Sequence, residues 1–161
     1  MALWAVFSVF AIPLAVIDAR TRLLPTRLVY LALAAVACWL LLETRAWMFL
    51  PADDADELMA IGGQALLGAA LATGLMLAVW LAGYLRARPN PAPMGFGDVR
   101  LAPLIGAPTG ALGLLFPLVA IGAGALLAAA YGLARRKVDG FAFGPFLIAG
   151  AYLALGVYLW L

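Results

Sequence analysis

Long apolar runs separated by short charged stretches organise this chain. Ala2 to Ile17 is apolar apart from Ser8 and stops at Asp18. A second run extends from Leu28 to Leu42, between Arg27 and Glu43, and a third covers Leu58 to Leu85 with Gln64 and Thr73 as polar interruptions. Leu101 to Ala134 carries no charge over 34 residues, and Phe141 to Leu161 closes the sequence. Runs of this kind predict helices in lipid. A spanning helix needs about 20 residues, so the 34-residue stretch is too long for one crossing and slightly short for two. Gly106-Ala-Pro-Thr-Gly110 lies inside it and predicts a turn. The expected fold is therefore an all-α integral membrane protein, one domain built as a six-span helical bundle. The approximate spans are 2–17, 28–42, 58–85, 99–109, 111–134 and 141–161. At about 1.5 Å per residue the fourth is too short to cross alone. It is expected as a short or broken helix packed inside the bundle, where protein can satisfy its backbone.

Loop charges orient the bundle. With six spans, the loops after the first, third and fifth lie on one side. They hold Arg20, Arg22 and Arg27; Arg86, Arg88 and Arg100; and Arg135, Arg136 and Lys137, which is nine of the ten basic residues. Arg45 alone lies opposite, with five of the eight acids, Glu43, Asp53, Asp54, Asp56 and Glu57. The positive-inside rule puts the basic loops in the cytoplasm and both termini outside it. The first run lacks the basic start and small-residue cleavage site of a signal peptide, so it is expected to be retained.

Composition then narrows the chemistry. Apolar residues make up 67% of the 161, against about 45–50% in soluble domains, and the mean hydropathy is +1.08. The absence of His excludes His-dependent triads and dyads, an imidazole base and His-ligated zinc. A single cysteine, Cys38, excludes an intrachain disulfide and a CxxC zinc ribbon, and in its apolar run it reads as a buried small hydrophobe. The net charge of +2 gives no reason to expect a nucleic-acid partner.

Three acids remain outside the acidic loop: Asp18, Asp98 and Asp139, all on the cytoplasmic side. Asp139 reads as a partner of the basic cluster at 135–137, which is itself a topology determinant. Asp18 and Asp98 sit at span ends, where an ionisable group is a functional hypothesis. Two carboxyls forced together can share a proton and polarise water between them, the logic of an aspartic peptidase, which needs no His, Cys or metal. Each has a plainer alternative: Asp18 as a surface ion pair with Arg20 or Arg22, and Asp98 as a helix N-cap.

The surrounding motifs favour the first reading. Asp18-Ala-Arg-Thr-Arg-Leu-Leu-Pro25 resembles the first-aspartate motif of the type IV prepilin peptidases. Gly95-Phe-Gly97-Asp98-Val-Arg100-Leu resembles their Gly-x-Gly-Asp motif, and Phe143-Gly144-Pro145-Phe-Leu is similar to an element near their C-terminus. The three blocks come in the family's order and cover essentially the whole chain. The resemblance implies a bacterial inner-membrane aspartic endopeptidase. It would cut the basic leader from type IV prepilins or pseudopilins at the cytoplasmic face, with Asp18 and Asp98 as the catalytic pair. Gly95 and Gly97, able to take positive φ, would shape the turn before the second acid. Arg100 stands where the family usually has Lys; it keeps the charge and changes its shape. Pro25, Gly144 and Pro145 would support the site. The family's zinc-binding cytoplasmic insert has no counterpart before Asp18, so no metal, no other cofactor and no N-methyltransferase activity are expected. The expected partners are the pilin substrate and the bilayer.

Two other classes fit the apolar pattern: a non-catalytic scaffold of a pilus or secretion machine, and a small proton-coupled transporter. A transporter should hold its acids near the midplane and often shows a repeated half, and neither is evident here. Gly106-x-x-x-Gly110 and Gly140-x-x-x-Gly144 match the small-residue packing pattern, though Pro108 favours reading the first as a turn. Trp4, Trp47, Trp80 and Trp160 fall where an interfacial belt would place them, and the acidic 53–57 run reads as a solvated face.

Overall fold

The computed structural model describes residues 2–46, 52–87, 95–135 and 142–161. They form six helices, α1 (Ala2–Thr21), α2 (Thr26–Ala46), α3 (Ala52–Ala87), α4 (Phe96–Gly110), α5 (Phe116–Ala134) and α6 (Gly144–Trp160), with no strand among them. Among the described residues, three segments are long and apolar enough to cross a membrane: Ala2–Thr21, Met59–Arg86 and Phe116–Ala134. Thr26–Leu42 and Gly144–Trp160 are shorter apolar helices. Large apolar side chains cover the outside, Leu67, Leu126 and Leu133 among them. An outer surface of that kind suits lipid as its solvent.

Helix α4 is the centre of the bundle. From Leu101 to Gly110 every residue but Pro103 is buried. Its 15 residues span about 22 Å, short of a hydrocarbon core about 30 Å thick, as expected of the fourth helix. The predicted turn at Gly106–Gly110 is not there. The helix runs through Pro103 and Pro108, and the chain reverses over residues 111–115. Each internal proline costs about 3 kcal/mol relative to alanine, so tertiary packing must override local preference. The packing is visible at three glycines. A Cβ on Gly106 would collide with the Gly68 carbonyl and lie 2.6 Å from the Ala72 Cβ. One on Gly110 would lie 2.5 Å from the Gln64 carbonyl oxygen, and one on Gly68 2.5 Å from the Gly110 Cα. The α3 and α4 backbones therefore touch, and Gly106-x-x-x-Gly110 is a packing face rather than a turn. Helices α5 and α6 meet in the same way. A Cβ on Gly124 would sit 2.9 Å from the Leu147 Cα, and one on Gly150 would strike the Ala120 carbonyl.

Two further expectations change. Cys38 is exposed on α2 rather than buried. Trp4 is only 6% exposed and packs edge-on to Phe7, with Tyr152 beside both, so it is core and no part of an interfacial belt; Trp160, 87% exposed, remains at the surface. Beneath Trp4, the Tyr152 hydroxyl donates to Ser8 Oγ at 2.7 Å, and Ser8 donates to the Trp4 carbonyl at 2.7 Å. Trp47, Arg88, Arg136, Lys137, Asp139, Gly140 and Phe141 lie outside the described residues.

Ring contacts and hydrogen bonds show which helix ends share a face. The end of α1 meets the start of α6 through Asp18 and Gly144. The starts of α2 and α4 meet through Thr26 and Arg100. Near its end, α3 packs Trp80 against Phe96, and α5 packs Tyr131 against Phe146. Arg20, Arg22, Arg27, Arg86, Arg100 and Arg135 thus belong to one end of the bundle.

Candidate active site

The pocket at that basic end begins with where α1 stops. The apolar run breaks at Asp18, yet the helix continues to Thr21. Asp18 therefore projects from the last turn of α1 into the bundle and is only 4% exposed, which removes the surface ion pair as an account of it. Asp98 lies in the first turn of α4 and is 8% exposed. It is not the N-cap: Gly95 holds that position with φ −70° and ψ 143°, and the Asp98 N–H donates to the Gly95 carbonyl at 3.2 Å. A carboxylate in a first turn faces the positive end of the helix dipole. Both carboxyls line one pocket of about 290 Å³, together with Arg22, Arg100, Leu24 and Phe143.

Gly144 gives Asp18 its partner. The Gly144 N–H donates to Asp18 Oδ2 at 3.1 Å across 126 positions of sequence. Helix starts leave N–H groups without intrahelical acceptors, and here the number is cut sharply. Pro145 has no N–H, and those of Phe146 and Leu147 both bond the Phe143 carbonyl, at 3.1 and 3.2 Å. Of residues 144–147, Gly144 alone has an N–H to give, and it goes to the carboxyl. A Cβ at position 144 would lie 2.6 Å from Asp18 Oδ2, so a larger residue there would push the carboxyl away from the N–H.

The other motif residues divide by role. Gly95 and Gly97 line the pocket, but neither takes the positive φ expected of it; among the described glycines only Gly113 does, at +144°. Position 97 is close-packed, since a Cβ there would sit 3.3 Å from Leu24 Cδ1. Arg100 donates to Thr26 Oγ1 at 3.2 Å and lies over the Phe96 ring at 5.1 Å, tying α4 to the start of α2. Pro25 is not among the pocket residues. Its carbonyl accepts the N–H groups of Leu28 and Val29 at 2.9 and 3.2 Å, which starts α2 close behind the corner. The sequence reading missed Arg22, Leu24 and Phe143 as lining residues and the link from Gly144 to Asp18. The only signal for that link was a Gly-Pro pair at a helix start.

An apolar helical bundle with a polar pocket at one end, lined by two buried carboxyls, is equipped to move protons beside a membrane. A family model of type IV leader peptidases matches residues 5–158, nearly the whole chain, and the protein belongs to the type IV leader peptidase family. It is thus a membrane peptidase. Comparison with curated proteins and with solved structures gave no match.

Proposed function

We propose that this protein is an aspartic endopeptidase that removes the basic leader from type IV prepilins or pseudopilins at the cytoplasmic face of a bacterial inner membrane. Asp18 and Asp98 are its catalytic pair. The observation that carries the reading is that these two acids, buried on different helices, line one pocket in a chain whose family is that of leader peptidases. The cytoplasmic placement follows from the nine basic residues of the loops after the first, third and fifth spans, in a six-span topology with both termini outside.

Ionising two neighbouring carboxyls together is costly, so the pair works with one proton between them. The N–H of Gly144 is aimed at Asp18, and a donor of that kind favours the charged form of its acceptor. With one proton between them, one carboxyl takes a proton from water as the base and the other, protonated, is hydrogen-bonded to the scissile carbonyl. Water adds to the carbonyl carbon and the C–N bond breaks. The leader leaves with a new carboxylate, and the trimmed pilin keeps the amine. The apolar N-terminal helix of the pilin lies in lipid beside the bundle, so its leader reaches the basic end.

The test is processing of a co-expressed prepilin, read as the mass of its N-terminus. Asp18→Asn and Asp98→Asn should each abolish leader removal while the protein stays in the membrane. Robust cleavage by either variant would refute the catalytic assignment. The same spectrum reports methylation, which this reading does not expect.

A further inference from the structure

The first turn of α4 brings more than a carboxyl to the pocket. A helix leaves the N–H groups of its first residues without intrahelical acceptors. In α4 these belong to Phe96, Gly97 and Asp98, and the third is already bonded to the Gly95 carbonyl at 3.2 Å. Gly95 holds the N-cap and has no side chain with which to cap the other two. No acceptor among the described residues takes the Gly97 N–H. Gly97 lines the pocket, and a glycine can line a pocket only with backbone. Its carbonyl points along the helix toward the N–H four positions on, so the polar group that it offers the pocket is its own N–H.

Asp98 shows independently that the pocket is built to be filled. Its side chain is only 8% exposed, lines the same pocket and has no hydrogen-bond partner among the described residues. A buried carboxyl in that state leaves its hydrogen bonding to whatever enters. A carbonyl oxygen has two lone pairs, so it can accept from the protonated carboxyl of the pair and from one further donor. We infer that the Gly97 N–H is that donor, a catalytic group that holds the scissile carbonyl oxygen and the negative charge gathering on it. As water adds to the carbonyl carbon, the C=O electron pair moves onto oxygen, and the base keeps the proton taken from water. The carbonyl reforms as the C–N bond breaks, and that proton passes to the amine nitrogen of the pilin. The helix fixes the N–H before the reaction and sets its positive end behind it. The inference rests on the leader-peptidase reading above and adds to it a donor for the developing charge.

Gly97→Pro removes the N–H at a position where this fold already accepts proline. Position 97 is the second residue of α4, and Pro117 and Pro145 are the second residues of α5 and α6. Gly97→Ala is the comparison, because it places the same Cβ 3.3 Å from Leu24 Cδ1 and keeps the N–H. Full chains purified in detergent are given a prepilin, a phosphinate peptide that mimics the tetrahedral intermediate, and an uncleaved leader peptide amide. The kcat of Gly97→Pro should lie at least about tenfold below that of Gly97→Ala, with KM within about twofold. The phosphinate should lose affinity by a similar factor, and the leader peptide should lose none. Equal kcat in the two variants would overturn the inference, and so would an equal loss of both ligands, which marks a blocked pocket. A backbone ester at position 97, built with glycolic acid, removes the N–H and adds no atom. It should lower kcat at least about tenfold from wild type, and a wild-type kcat in this form would overturn the inference even if Gly97→Pro failed to fold. Failure of the wild-type protein to process prepilin would instead overturn the leader-peptidase reading itself.

Discussion

Gly144→Ala adds one methyl group where the site has least room. The new Cβ would stand 2.6 Å from Asp18 Oδ2 and 3.4 Å from Cγ of the same carboxyl, with Leu101 Cδ2 at 3.6 Å. Carbon and oxygen in ordinary contact sit about 3.3–3.6 Å apart, so the carboxyl must retreat by roughly 0.7–1 Å. A retreat of that size stretches the 3.1 Å bond from the Gly144 N–H beyond useful range. Hydrogen bonds to charged groups contribute about 1.5–3 kcal/mol. If that support is lost in the transition state, kcat/KM falls roughly 10- to 150-fold. Leader removal by purified protein measures the loss, and thermal unfolding in the same detergent reports whether the fold survives. The reference is Gly122→Ala, whose Cβ meets nothing within 4 Å; its rate should stay within about twofold of wild type. Wild-type cleavage by Gly144→Ala would refute the reasoning, as would an equal loss in Gly122→Ala.

Two further predictions concern the scaffold. Gly106→Ala drives a methyl group into the backbone of α3 and should destabilise the protein by about 1–3 kcal/mol, read as a lowered midpoint that Gly74→Ala, facing open space, does not share. Tyr152→Phe removes the hydroxyl that donates to Ser8 and should cost about 0.5–1.5 kcal/mol of stability with cleavage retained; an unchanged midpoint would show that this bond contributes nothing.

The helices were legible in the sequence because lipid demands continuous apolar runs, and the charges between them marked their ends. Their contacts were less so. Gly106, Pro108 and Gly110 carry a turn signal that is correct for an isolated segment, and it fails because α3 offers Gly68 to a backbone that can come close only through glycine. Trp4 looked interfacial by position, but Phe7 and Tyr152 enclose it. Asp18 and Asp98 stood out because few other ionisable groups remained once the loops were accounted for. Their neighbours did not. The residue that serves Asp18 is 126 positions away and acts through a backbone N–H, which no side-chain pattern records. Gly97 was expected for its conformational freedom, and what the structure shows there is close packing against Leu24.

The bond between Gly144 and Asp18 also sets an order of events during synthesis. Asp18 lies in the first of the six helices to be synthesised, and the group that holds it begins the sixth. A chain synthesised only through α5 carries both aspartates and the residues of the α3–α4 contact, but nothing from α6 to restrain Asp18. The complete site forms only when α6 joins the bundle, so the peptidase is assembled last at the residue where its sequence chemistry begins.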